Sequence, residues 1–341
     1  MLINCIRVFT KIELTREGAR NLGVVVRSLT LLLAIAFCDK TFAASAFCDS
    51  YQNIRFVTVE DTSFYKCSDF SRLDRLIGQL TNISPYSFPK LPLYGAVPPY
   101  SGIGEFNWRE WSIFVSFFPT NAQEVEDTEK VFAHEFGHQI FEVRVAGTVP
   151  LLNQLIELRN RKLKFGEMFI SVTRLQTSRP ECSSGECEAI TEILRATPPD
   201  VLDANKDFND FVQKNEDEIS RIRKITAPFH ELYADTFSAV FYEKSAVEIK
   251  SFGMSHQACR TFSEDLPADF FSSDPHCSLS GIRKPLWEKW IKPRLGKKRE
   301  LLNELANVFV AEMLPTLADP TLPIQDPRMA VRSLKRRLGL P

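Results

Sequence analysis

Val131-Phe132-Ala133-His134-Glu135-Phe136-Gly137-His138-Gln139-Ile140-Phe141 is the stretch on which the reading of this chain turns. His134 and His138 stand four residues apart, so on a helix their rings leave one face about a turn apart. Val131, Phe132, Phe136 and Ile140 make the same helix largely apolar, which predicts burial and therefore partners for its polar groups. Two imidazoles at this spacing can reach one tetrahedral zinc ion, and Glu135 beside them can take a proton from a water attacking a carbonyl.

Working outward, Thr120 or Asn121 is expected to cap this helix. Glu124, Glu126, Asp127 and Glu129 suit its positive end, and Gly147 and Pro150 follow its end near Ala146. Upstream, Trp111 to Phe118 has the composition of a strand, as does Asn53 to Val59. Leu73, Leu76, Ile77 and Leu80 predict an amphipathic helix from Ser71, whereas the proline-rich residues 84–104 read as an irregular loop. Downstream, helices are expected over roughly 150–164, 208–224 and from Thr226 to about Ser245, with Pro228 in the first turn of the last. Residues 251–284 read as irregular, and helix resumes near Pro285.

Two histidines do not complete a site, and the third ligand decides the class. A glycine three residues after the second histidine with a further histidine three later is excluded, because those positions are Phe141 and Arg144. Glu157, nineteen residues on, is a weaker option, since Arg161 stands where a supporting acid belongs. His230-Glu231-Leu232-Tyr233-Ala234-Asp235 offers more: Glu231 and Asp235 share a helix face. Glu231 can bind the metal, with His230 the lesser substitute, while Asp235 accepts a hydrogen bond from a ligand imidazole and fixes its tautomer. Small residues at Ala234, Ser238 and Ala239 let the two helices approach closely.

His134-Glu135-x-x-His138 with Glu231-x-x-Ala234-Asp235 resembles the gluzincin metallopeptidases, the thermolysin-like group, over two helices of the chain. The resemblance implies His134, His138 and Glu231 as zinc ligands, Glu135 as the base and Asp235 as the carboxylate behind a histidine. It also implies an edge strand at 111–118 on which an extended substrate lies. The interval of 92 residues between His138 and Glu231 is longer than in the thermolysin-like members. A donor for the oxyanion is required as well; His276 and Arg283 are the leading candidates, with His256 and Tyr242 behind them.

Of the 341 residues, 44% are apolar and 25% charged, and the formal charge is −1, so no global field points to nucleic acid or an anionic membrane. Residues 1–46 read as a cleaved export signal: basic residues precede an apolar run from Leu29 to Phe37, then Ala44-x-Ala46. That run is too short for a membrane span, so no stable anchor is expected after cleavage. Six cysteines remain in the mature chain, and neighbour pairing (48–67, 182–187, 259–277) is preferred among 15 connectivities.

The fold expected is an α+β zincin. Residues 47–146 supply a small twisted sheet and the active-site helix, 147–284 a helical part with the third ligand, and 285–341 the C-terminal helices. The function expected is that of a secreted or periplasmic zinc-dependent endopeptidase acting on protein or peptide substrates. The alternatives are an exported zinc amidase or wall-modifying hydrolase, and a catalytically silent zinc-stabilised binding protein.

Overall fold

The structure, a computed structural model, describes residues 54–58, 67–85, 91–96, 104–108, 112–116, 122–162, 199–246, 257–266, 270 and 272–341. Helices dominate it: α1 (Cys67–Ile83), α2 (Ala122–Ala146), α3 (150–162), α4 (Pro199–Lys214), α5 (Glu216–Tyr242), α6 (Lys298–Ala318) and α7 (Pro327–Leu338). Single helical turns at Gln257–Arg260, Pro275–Ser278 and Ser280–Pro285 lead into a π-helical turn (Leu286–Ile291) and a 3-10 turn (Lys292–Lys297). Pro285 and Pro293 lack the N–H that an α-helix needs, so the chain departs from the α pattern around them.

The expected α+β class is overturned: this is a mainly helical molecule. The buried cluster is filled by α2 (Phe132, Phe136, Ile140, Phe141), α5 (Phe229, Leu232, Tyr233, Phe237), α6 (Leu302, Leu305, Phe309) and α1 (Leu73, Leu76, Ile77, Leu80). Phe141 stacks on Tyr233 with ring centroids 5.0 Å apart, and Phe309 meets both edge-on. Strands are four short runs, β1 (Ile54–Thr58), β2 (Leu91–Ala96), β3 (Gly104–Asn107) and β4 (Ser112–Ser116). Among strand residues of described burial, Ile113 enters the core and Phe106 packs against it. The physical reason for the helical class is that apolar residues recur at helical spacing along α1, α2, α5 and α6, which fill most of the described core.

Details of the expectation change with it. The strands are ordered β1-β2-β4-β3, parallel except for the antiparallel β3–β4 pair. The 111–118 strand is therefore internal, and β3 holds the edge it was expected to occupy. β2 lies inside the stretch read as loop. The helix expected from Thr226 begins ten residues earlier, at Glu216, because Glu216, Asp217 and Glu218 suit a helix N-terminus and Pro228 is carried in the interior. The expectations for α1, α2 and α3 agree with the structure within a few residues.

Helices α2 and α5 cross at Gly137. A Cβ placed there would lie 2.7 Å from the Ala234 Cα and 3.1 Å from the Phe237 Cβ. Glycine at 137 and alanine at 234 thus let the helices that carry His134, His138 and Glu231 touch backbone to backbone, as the small residue at 234 led us to expect. Trp108, just beyond β3, is pinned from two sides. Its carbonyl accepts from buried Arg159 of α3 at 2.9 Å, and the Arg223 guanidinium of α5 lies 4.5 Å over its ring. Arg223 in turn grips Glu142 of α2 with two hydrogen bonds, of 2.8 and 2.5 Å. These ties set β3 against α2.

Candidate metal centre

The turn of α2 that faces α5 brings His134 and His138 together with Glu231. Their ligand atoms all lie within 4.8 Å of one another. The two Nε2 atoms are 3.0 Å apart, His134 Nε2 is 3.4 Å from Glu231 Oε2, and His138 Nε2 is 3.5 Å from Glu231 Oε1. Bonds of about 2.0–2.1 Å to a tetrahedral ion hold ligand atoms roughly 3.3 Å apart, so this triangle has the size such an ion requires. Glu231 Oε2 is buried and receives no well-formed hydrogen bond, which leaves an anionic oxygen facing two imidazole nitrogens. The donor set and its spacing fit a metal ion, and these residues could hold one.

Around the ligands stands a shell of charged groups. His134 Nδ1 lies 2.9 Å from Asp235 Oδ1, the arrangement that points Nε2 at the ligand cluster. Asp235 is itself held by two guanidiniums: Arg260 Nη2 at 2.7 Å from Oδ1 and Arg283 Nη2 at 2.8 Å from Oδ2. Arg260 Nη2 also lies 3.2 Å from both ring nitrogens of His134. His276 Nε2 comes within 3.3 Å of Glu231 Oε2, while its Nδ1 lies 2.7 Å from Asp274 Oδ1.

Protonation follows from burial and these charges. Burial and Arg260 both push His134 down, yet Asp235 and Glu231 prevail and carry it up to about 9. Burial dominates at His138 and lowers it to about 3. Glu231 and Asp235 resist burial and stay well below the usual carboxylate range, Glu231 through His138 and His134, Asp235 through Arg260 and Arg283. Glu135 differs: burial raises it to about 7, although its Oε2 accepts the Phe106 N–H of β3 at 2.8 Å.

All the leading sequence candidates meet here, in distinct places. His276 reaches the ligand cluster with its side chain 42% exposed, whereas Arg283 is 1% exposed and bound behind Asp235, away from solvent. Glu157 points outward, bonded to Asn153, and is no ligand. His230 lies 3.3 Å from Glu142 rather than on the cluster. The Tyr242 hydroxyl is buried among Glu129, Glu126 and Arg72, and burial raises it above its usual range. His256 lies outside the described residues.

Sequence reasoning missed Arg260 and Asp274. The signal for Arg260 was its neighbour: Cys259 pairs with Cys277, as expected from neighbour pairing, with Cα atoms 5.1 Å apart. The other two expected pairs and the leader at 1–46 fall on residues outside the description. Among the described residues no helix is long and apolar enough to cross a membrane. No family model, no curated protein and no solved structure matches the chain.

Proposed function

We propose that the chain is an exported zinc-dependent peptidase of gluzincin-like design, hydrolysing peptide bonds through an activated water. The observation that carries this reading is the triangle of His134, His138 and Glu231, with Glu135 on the same helical turn as both histidines. Zinc, when bound, supplies Lewis acidity and a water acidic enough to attack at neutral pH. The chain supplies the rest. Glu135, with a pKa near 7, can accept the proton of the attacking water and pass it to the leaving amine. His276, with Nδ1 on Asp274 and Nε2 3.3 Å from Glu231, is the group this reading assigns as donor to the oxygen of the attacked carbonyl.

Export is supported by the Cys259–Cys277 disulfide and by the signal-like leader. Glu135→Gln is the test: it should keep one zinc per chain and lose turnover on a peptide mixture by about 10²–10⁴-fold. Turnover retained in that variant removes Glu135 from the mechanism.

A further inference from the structure

Two short segments, joined by one disulfide, each deliver one side chain to the metal centre. Arg260 follows Cys259 and forks onto Asp235, with Nη2 2.7 Å from Oδ1 and Nε 3.3 Å from Oδ2. His276 precedes Cys277 and comes within 3.3 Å of Glu231.

The same segments are tied together by two further side chains. Ser280 Oγ lies 2.6 Å from the carbonyl oxygens of both Cys259 and Cys277. Arg283 donates to the carbonyl of Arg260 at 3.2 Å and to that of His276 at 3.0 Å, and also reaches Asp235. Cys259, Cys277, Ser280 and Arg283 are all buried. Every cross-link therefore touches a residue of the centre or its immediate neighbour. A disulfide that merely stapled a surface loop needs none of this.

We propose that the Cys259–Cys277 disulfide and Arg260 are positioning elements of the metal centre, acting on the ligands through Asp235. The disulfide fixes the segment that carries Arg260. Arg260 holds both oxygens of Asp235, and Asp235 sets the ring of His134. A guanidinium suits this role because its planar fork matches a carboxylate with two donors, which an ammonium does not. Helices α2, α5 and α6 supply most of the aromatic core, so the effect of opening the disulfide is expected first at the metal centre. This inference rests on the metal-centre reading above.

The test is zinc affinity, by competition with a chromophoric chelator, and the absorption spectrum of the cobalt(II)-loaded chain. Cys259→Ser/Cys277→Ser and Arg260→Ala should each bind zinc about 10–100-fold more weakly and alter the cobalt spectrum. Combining them should add little, because they act along one chain of contacts. Arg260→Lys should restore only part of the loss. Wild-type affinity and spectrum in both variants, with only a lower Tm, overturn the inference while leaving the metal centre standing. A wild-type chain that binds neither zinc nor cobalt overturns the metal-centre reading and this inference with it. Should the cystine-free chain fail to fold, Ser280→Ala and Arg260→Lys decide with the disulfide intact, and unchanged affinity in both overturns the proposal.

Discussion

Single residues in the centre have separable duties, and substitutions should separate them. Asp235 is not one of the clustered residues itself; it holds the ring of His134 through a 2.9 Å contact. Asp235→Asn keeps the shape, removes the charge shared by Arg260 and Arg283, and should weaken zinc binding about 10–100-fold by chelator competition. Affinity equal to wild type would show that His134 is oriented without it. The cluster of His134, His138 and Glu231, with Asp235 beside it, was legible from sequence because a helix turns four-residue spacing into geometry. Arg260 was not, because its position depends on a disulfide that brings residue 260 beside residue 276. Nor could spacing separate His276 from Arg283, one facing the cluster and the other sealed behind Asp235.

Between elements, the α2–α5 crossing carries the site. Gly137→Ala puts a methyl group 2.7 Å from the Ala234 Cα, and backbone must move to admit it. A destabilisation of about 1–3 kcal/mol is expected in denaturant titration, with weaker zinc binding because the two ligand helices are pushed apart. A neutral outcome would mean that the helices do not meet this closely.

The second tie between these helices is Glu142 with Arg223. Burial alone raises the Glu142 carboxyl, but Arg223 and His230 outweigh it and hold it well below its usual range. A depressed folded pKa contributes stability that is present above the unfolded value, near 4.3, and is lost as pH falls below it. Glu142→Gln should thus cost about 3 kcal/mol at neutral pH, the lower end for breaking a buried pair, since Arg223 can still reach water. It should also flatten the acid limb of the stability–pH curve; an unchanged limb would place the titrating group elsewhere.

For the molecule as a whole, helical periodicity revealed most of the core, and the fold class was misjudged. Trp111 to Phe118 has the composition of a strand and forms one at Ser112–Ser116, yet composition does not say how much of the core a strand will fill. Ile113 is buried while α1, α2, α5 and α6 supply most of the remainder. Pro228 misled in the other direction: it marked a helix start where the structure carries a proline inside a 27-residue helix. Metal should act on the whole fold, because α2 and α5 each contribute ligands and a bound ion links them. Free zinc about 100-fold above its dissociation constant should add roughly 2.7 kcal/mol to stability, raising Tm by several degrees, and a chelator should reverse it. A Tm indifferent to zinc would argue against a site shared by the two helices.

The most direct test of the account joins metal analysis to cleavage profiling on the purified wild-type chain and Glu135→Gln. One zinc per chain in both proteins, with a peptide mixture cut by the wild type alone, is the predicted result. Absence of zinc from the wild type, or equal cleavage by the two, contradicts it.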